Sequence, residues 1–251
     1  MKIRGIVVVA FCLMQCSAFA GPGRNPLIFC GSARNDLYQV LKENGFALVR
    51  YDAVEDAIRS APAGSAVFVV ADGYPDTRTR VSASLLKAAA RKDMRLYIEY
   101  PAFLLGLPMQ DSVVETRLER CVVTTDAFGK VLPPMSILGI NDCHIIRSAV
   151  DSPLLVLGRV AGFDRAEYGI GDVKTYPVLL RRGNQMIAMT RLSDFATGRY
   201  APAASWKLVW TYILSWMTRT DSPGLGHWLS YVRPAYSGEA QLPPGARDTS
   251  V

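Results

Sequence analysis

Three acidic residues of this 251-residue chain, Asp52, Asp72 and Glu99, each stand where an apolar run of strand length gives out. The runs are "FALVRYD", "SAVFVVADG" and "MRLYIEY", and each brings a tyrosine to the same place: Tyr51, Tyr74 and Tyr100. Arg50 stands beside the first of them. Two carboxylates held close together shift each other's proton affinity and can serve as general acid and base. Glu99 and Asp72 are the candidate pair, and glycosidic chemistry would require them about 5 to 9.5 Å apart. Aromatic rings among carboxylates also suit hydroxyl-rich ligands, through stacking and charge-assisted hydrogen bonds. The candidate ligand-binding set is therefore Arg50, Tyr51, Asp72, Tyr74, Glu99 and Tyr100. The plainer alternative makes Asp52 and Asp72 helix caps and gives Glu99 to Arg50 or to the next turn.

Other chemistries lack their residues. "GSARND" could cradle a phosphate, yet it has neither G-x-G-x-x-G nor the P-loop lysine, and it reads more simply as a helix start. No Cys or His pair has zinc spacing. Asp126 and Asp142 are too isolated to form a calcium loop. G-x-S-x-G is absent, which removes the usual mark of an α/β hydrolase. Cys143 and His144 are adjacent on an extended run and so point to opposite faces, which excludes a dyad. No cofactor and no metal is expected.

The elements that must position these residues fall into two halves. From residue 27 to 105, strand-length runs alternate with helical patterns. "LIFCG" leads to "NDLYQVLKENG", in which Asn35 caps the start, Leu37, Val40 and Leu41 form one face, and Gly45 ends the helix. "AVEDAIRSAPAG" and "SASLLKAAARKD" follow the next two runs. Alternation of this kind specifies βαβ units and a parallel sheet, whose ligands bind outside the carboxyl ends of the strands. That edge is where Glu99 and its neighbours stand.

After Pro108 the segments are extended and separated by turn residues, which predicts strands that extend or flank the sheet. "YPVLLRRGNQMIAMTRL" predicts a hairpin turning at Gly183 and Asn184. In "APAASWKLVWTYILSWMTR", Trp206, Val209, Trp210, Ile213, Leu214 and Met217 recur at the 3.6-residue period of a packed helix. The fold class is α/β, with a mostly parallel sheet covered by helices and antiparallel strands added in the second half.

Residues 1–20 carry Lys2, Arg4, an apolar run and "SAFA", the layout of a secretory signal with cleavage after Ala20; lipidation at Cys16 is the alternative. The apolar run is shorter than the roughly 20 residues of a membrane span. A periplasmic or secreted location follows. The formal charge is +6, or +4 once Lys2 and Arg4 are removed, and no basic run is interleaved with aromatics, which speaks against nucleic acid. Cys30, Cys121 and Cys143 would remain; Cys121 with Cys143 is the candidate disulfide, and three buried thiols are the alternative. Residues 21–221 read as one domain and 222–251 as a linker-like tail.

The order of elements, with "RLYIEYPA" turning sharply after a strand, resembles the class I glutamine amidotransferase fold, a flavodoxin-like three-layer arrangement. In active members of that family the elbow reads Gly-x-Cys-x-Gly, and a His-x-Glu pair arrives from a later strand. Here Glu99 or Tyr100 holds the nucleophile position without flanking glycines, and "MIAMTRLSDF" supplies no histidine. The resemblance implies a pseudoenzyme. Narrower similarity, over residues 26–218, is to non-catalytic domains of this fold attached to bacterial glycoside hydrolases: the β-galactosidase trimerisation type, and those preceding a six-hairpin (α/α)-barrel. It implies a glycan ligand, a downstream barrel glycosidase partner or a homo-oligomer, with the tail leading toward such a barrel. The competing expectations are a carbohydrate-active hydrolase using Glu99 and Asp72, and a purely structural scaffold.

Overall fold

A computed structural model describes residues 26–195, 199–221 and 223–228. The expected signal sequence, residues 1–20, and the tail beyond residue 228 lie outside the described residues.

The first half follows the alternation of the sequence: β1 (Leu27–Cys30), α1 (Asp36–Glu43), β2 (Leu48–Tyr51), α2 (Val54–Ser60), β3 (Ala66–Val69), α3 (Ala83–Arg91) and β4 (Arg95–Glu99). The second half supplies β5 (Met109–Glu115), β6 (Arg120–Val123), β7 (Ile137–Ile140), β8 (His144–Ser148), β9 (Leu155–Gly158), β10 (Tyr176–Arg182), β11 (Gln185–Ala188), β12 (Tyr200–Ala201) and α4 (Ala203–Thr218). Among the described residues, ten strands form one mixed sheet in the order β12-β7-β6-β9-β10-β11-β4-β3-β1-β2, and β5 pairs with β8 in a second. The protein is α/β, with a large sheet, helices and antiparallel strands.

The sheet changes character at β11. Strands β2, β1, β3, β4 and β11 pair in parallel. β11 is also the second arm of the predicted hairpin, antiparallel to β10, with Arg182 opposite Gln185 across the Gly183–Asn184 turn. Gly183 takes φ +55°, the left-handed backbone that such a turn needs. From β10 outward every pairing is antiparallel.

Phe29, Phe68 and Tyr97 are register partners on β1, β3 and β4 and so share one face. Tyr38 of α1 meets Phe29 at 5.1 Å between ring centroids, and Trp210 of α4 meets Tyr97 at 5.3 Å. Cys30, one residue beyond Phe29, points the other way, and its sulfur approaches the Ala53 carbonyl at the start of α2. The six residues of the predicted α4 stripe, Trp206 to Met217, are all buried, as helical spacing requires.

Residues 223–228, expected as linker, pack onto the domain instead. Trp228 is buried against Phe195, its indole N–H donates to the Ala203 carbonyl at 3.1 Å, and the His227 amide donates to Asn44. A Trp and a Leu spaced over four residues are enough to bury a segment that has no period of its own.

Candidate functional site

The order β2-β1-β3 reverses direction between β1 and β3, and a parallel sheet opens a crevice at such a point. Gly31 follows β1 at this edge: it takes φ +153°, and a Cβ there would meet Val70 Cγ2 at 2.3 Å. The chain then turns through Ser32, whose hydroxyl accepts from the Arg34 amide at 3.1 Å, to Asn35. The Asn35 side-chain oxygen caps α1 by accepting from Leu37 and Tyr38, and its amide donates to the Ser193 hydroxyl at 2.9 Å. A groove of about 340 Å³ lies over these contacts. Ser32, Arg34, Asn35 and Asp36 line one side, Asp72 comes from the end of β3, and Arg191, Ser193 and Asp194 come from the segment after β11.

Glu99 does not reach this groove. It is 0% exposed and accepts four hydrogen bonds: Tyr97 hydroxyl (2.8 Å) and Leu192 amide (3.0 Å) at Oε1, Ser193 hydroxyl (2.8 Å) and Ala71 amide (3.2 Å) at Oε2. Burial raises its pKa, and the donors from Ser193, Tyr97 and Ala71, with the charge of Arg191, oppose the rise. The carboxylate ties the ends of β3 and β4 to the segment after β11. Ser193 is shared: it lines the groove and donates to Glu99 beneath it.

Of the other predicted residues, Asp72 lines the groove. Partial burial raises its pKa, against the Ser32 amide and the charges of Arg191 and Arg50. Arg50 donates to the Gly31 carbonyl at 3.0 Å and pairs with Asp52, which identifies Asp52 as an ion-pair partner rather than a cap. Tyr51 packs its half-buried ring on the core. Tyr74 and Tyr100 meet edge to face at 4.9 Å. The Tyr74 hydroxyl accepts from the Thr190 hydroxyl at 3.1 Å and from the His144 amide; burial holds its pKa up. Tyr100 is buried and takes φ +44°, a left-handed elbow unusual for a side chain of this size. The structure thus brings Asp72 to the groove, places Arg50 near its charge, and commits Glu99, Tyr74 and Tyr100 to packing.

Sequence reading missed Arg191, Ser193 and Asp194. Asp194 pairs with both Arg191 and Arg199, and Arg199 reaches Asp142 at 3.3 Å. The Arg191 guanidinium also lies 5.5 Å from the Tyr74 ring centroid. The signal was present: "TRLSDF" follows an apolar run, and β11 is parallel to β4, so its carboxyl end belongs to the same edge. Read only as a hairpin arm, the strand did not disclose that.

Among the described residues the groove holds no assembled nucleophile. The Ser193 hydroxyl gives its proton to Glu99 and takes one from Asn35, and no histidine lines the groove. The cysteines do not supply one either. Cys30, Cys121 and Cys143 are free and buried, so the expected Cys121–Cys143 bridge is not formed. Cys121 sits in β6 between β7 and β9, whereas the Cys143 sulfur is engaged by the Tyr200 hydroxyl at 3.5 Å. Burial pushes the Cys30 thiol up to about 12 and the Cys143 thiol up to about 11. Among the described residues no group of three His, Cys, Asp or Glu side chains is placed to hold a metal ion.

No protein-family model matches the chain, and no curated protein matches it. Among solved structures, it is similar in fold to alpha-L-fucosidase isoenzyme 2 from Paenibacillus thiaminolyticus, with a TM-score of 0.50 at 11% identity over 77% of this chain. The match covers 33% of that enzyme.

Proposed function

We propose that the chain is a non-catalytic domain of amidotransferase-like, flavodoxin-like fold that serves carbohydrate degradation outside the cytoplasm, by holding a glycan or by positioning a glycosidase. The parallel order β2-β1-β3-β4-β11 is the doubly wound 2-1-3-4-5 order of such a sheet and supports the fold reading. The left-handed elbow at Tyr100, directly after β4, supports the amidotransferase likeness in shape while carrying a phenol where active members carry a thiol. The similarity to part of a fucosidase favours an association with carbohydrate.

The burial of Glu99 carries the non-catalytic reading. A carboxylate that already accepts four hydrogen bonds at zero exposure cannot contact a substrate, and the other carboxylates beside Asp72 are engaged, Asp194 by Arg191 and Arg199 and Asp36 by the Phe195 amide, which leaves Asp72 without a partner for acid and base work. What remains is a polar groove suited to binding.

The test is an assay of the purified chain for hydrolysis of aryl glycosides and of glutamine, run beside calorimetric titration with a panel of oligosaccharides. The expected outcome is no release above the buffer blank, with saturable binding of at least one glycan or retention of a glycosidase from the same source. Turnover that disappears in Asp72→Asn would overturn the reading in favour of a hydrolase.

A further inference from the structure

Most charges at the groove are already matched. Asp194 stands between Arg191 and Arg199, and Asp36 accepts from the Phe195 amide at 2.8 Å. Arg50, nearby, is held by Asp52. Two side chains are not matched in this way. Arg34, from the loop between β1 and α1, makes no ion pair among the described residues, and Asp72, from the end of β3, accepts the Ser32 amide but likewise pairs with no cation within 4 Å. Among the described residues the groove therefore offers a guanidinium and a carboxylate that form no ion pair, with the Ser32 hydroxyl beside them. Its volume of about 340 Å³ falls in the range of roughly 300 to 1,000 Å³ typical of small-molecule sites.

Several ligand classes fit this poorly. A phosphate would meet three carboxylates, Asp36, Asp72 and Asp194, with no glycine-rich loop to enclose it. A neutral pyranose recognised by stacking needs an aromatic wall, and among the described residues no aromatic side chain lines the groove. A neutral sugar would also offer Arg34 no counter-charge and so forgo a charge-assisted pair. A ligand bearing one carboxylate and several hydroxyls answers both groups: guanidinium binds carboxylate in bidentate fashion, and vicinal hydroxyls donate together to a carboxylate.

We infer that the groove binds an acidic sugar, a uronate residue of an oligosaccharide or polysaccharide, with its carboxylate on Arg34 and its ring hydroxyls on Asp72. The inference rests on the carbohydrate reading above and narrows it to one class. Asp72 acts here as an acceptor of hydroxyl protons and takes no part in bond breaking.

Calorimetric titration of the full chain with trigalacturonate and trimannuronate, their methyl esters, a neutral galactose trisaccharide and inorganic phosphate tests it. At least one uronate trimer is expected to bind about tenfold or more tightly than its ester, as removal of a charged hydrogen bond implies. Arg34→Gln should erase that preference, Arg34→Lys should restore part of it, and Asp72→Asn should weaken acid and ester alike. Arg34 is exposed, so these variants keep the fold. Equal binding of ester and acid, or of the neutral trisaccharide, would overturn the inference while leaving the glycan reading standing. Phosphate binding as tight as the uronate would overturn it in favour of a general anion site, and binding of no sugar would remove both readings.

Discussion

At the residue scale the protein turns on a carboxylate that is structural. Replacing Glu99 by Gln must aim an amide donor at either the Ala71 or the Leu192 amide, and a backbone N–H cannot rotate away as the Tyr97 and Ser193 hydroxyls can. Glu99→Gln is expected to lose about 1 to 3 kcal/mol at pH 5, read from urea midpoints. Because burial raises the folded pKa of Glu99, the folded state holds the proton more tightly than the unfolded chain. The wild-type contribution is then greatest below the ordinary glutamate pKa and declines as pH rises through the folded value, so the gap between wild type and variant should narrow toward neutrality. Glu119 works in the opposite sense. Burial would raise it, but the Arg117 amide, the Arg159 guanidinium at 2.8 Å and the Leu118 amide together lower it to about 2. Its contribution is present above the unfolded pKa and is lost as pH falls toward 2. Glu119→Gln should flatten the acid side of the stability profile between pH 5 and 2.5; an unchanged acid slope would show that the ion pair adds nothing. The thiols offer a simpler check. Cys30, Cys121 and Cys143 should resist a thiol reagent in the native chain and react on denaturation, whereas loss of two of them to a bridge under non-reducing conditions would contradict their free state.

At the scale of elements, the reversal of strand order between β1 and β3 is the feature that sets the groove at this edge. Gly31→Ala brings a methyl within 2.3 Å of Val70 Cγ2, and a cost of about 1 to 3 kcal/mol is expected, measured by thermal or urea unfolding. Asn35→Ala removes the cap of α1, worth about 1 kcal/mol, and also the Asn35 contact to Ser193, so ligand affinity should fall along with stability. These elements were legible from local pattern. The alternation of β1 through β4, the Asn35 cap, the Gly183–Asn184 hairpin and the α4 stripe all follow from periodicity and turn chemistry, which act over a few residues. The placement of Glu99 at the end of β4 was legible for the same reason. Its burial was not, because that depends on Leu192 and Ser193, more than 90 residues further along the chain. The same distance in sequence hid Arg191 and Asp194 from the site. A hairpin arm that is antiparallel on one side and parallel on the other carries no local mark of its second partner.

At the scale of the molecule, the parallel half supplies the groove and the antiparallel half extends the sheet away from it. Exposed apolar side chains lie elsewhere: Phe163 and Tyr168 in the connection between β9 and β10, and Phe103 and Leu105 after β4. Glycan binding at the groove and association through those side chains are separable roles, and the place at which a ligand acts distinguishes them. The decisive measurement is a set of amide NMR spectra of the full chain during titration with the uronate and neutral oligosaccharides. Shifts concentrated at residues 32–36, at Asp72 and at residues 191–194 are predicted, with Glu99 moving only as a neighbour of Ser193. Shifts confined to Phe103, Leu105, Phe163 or Tyr168, or no shifts with any sugar, would contradict the assignment of the strand-end groove as the binding site.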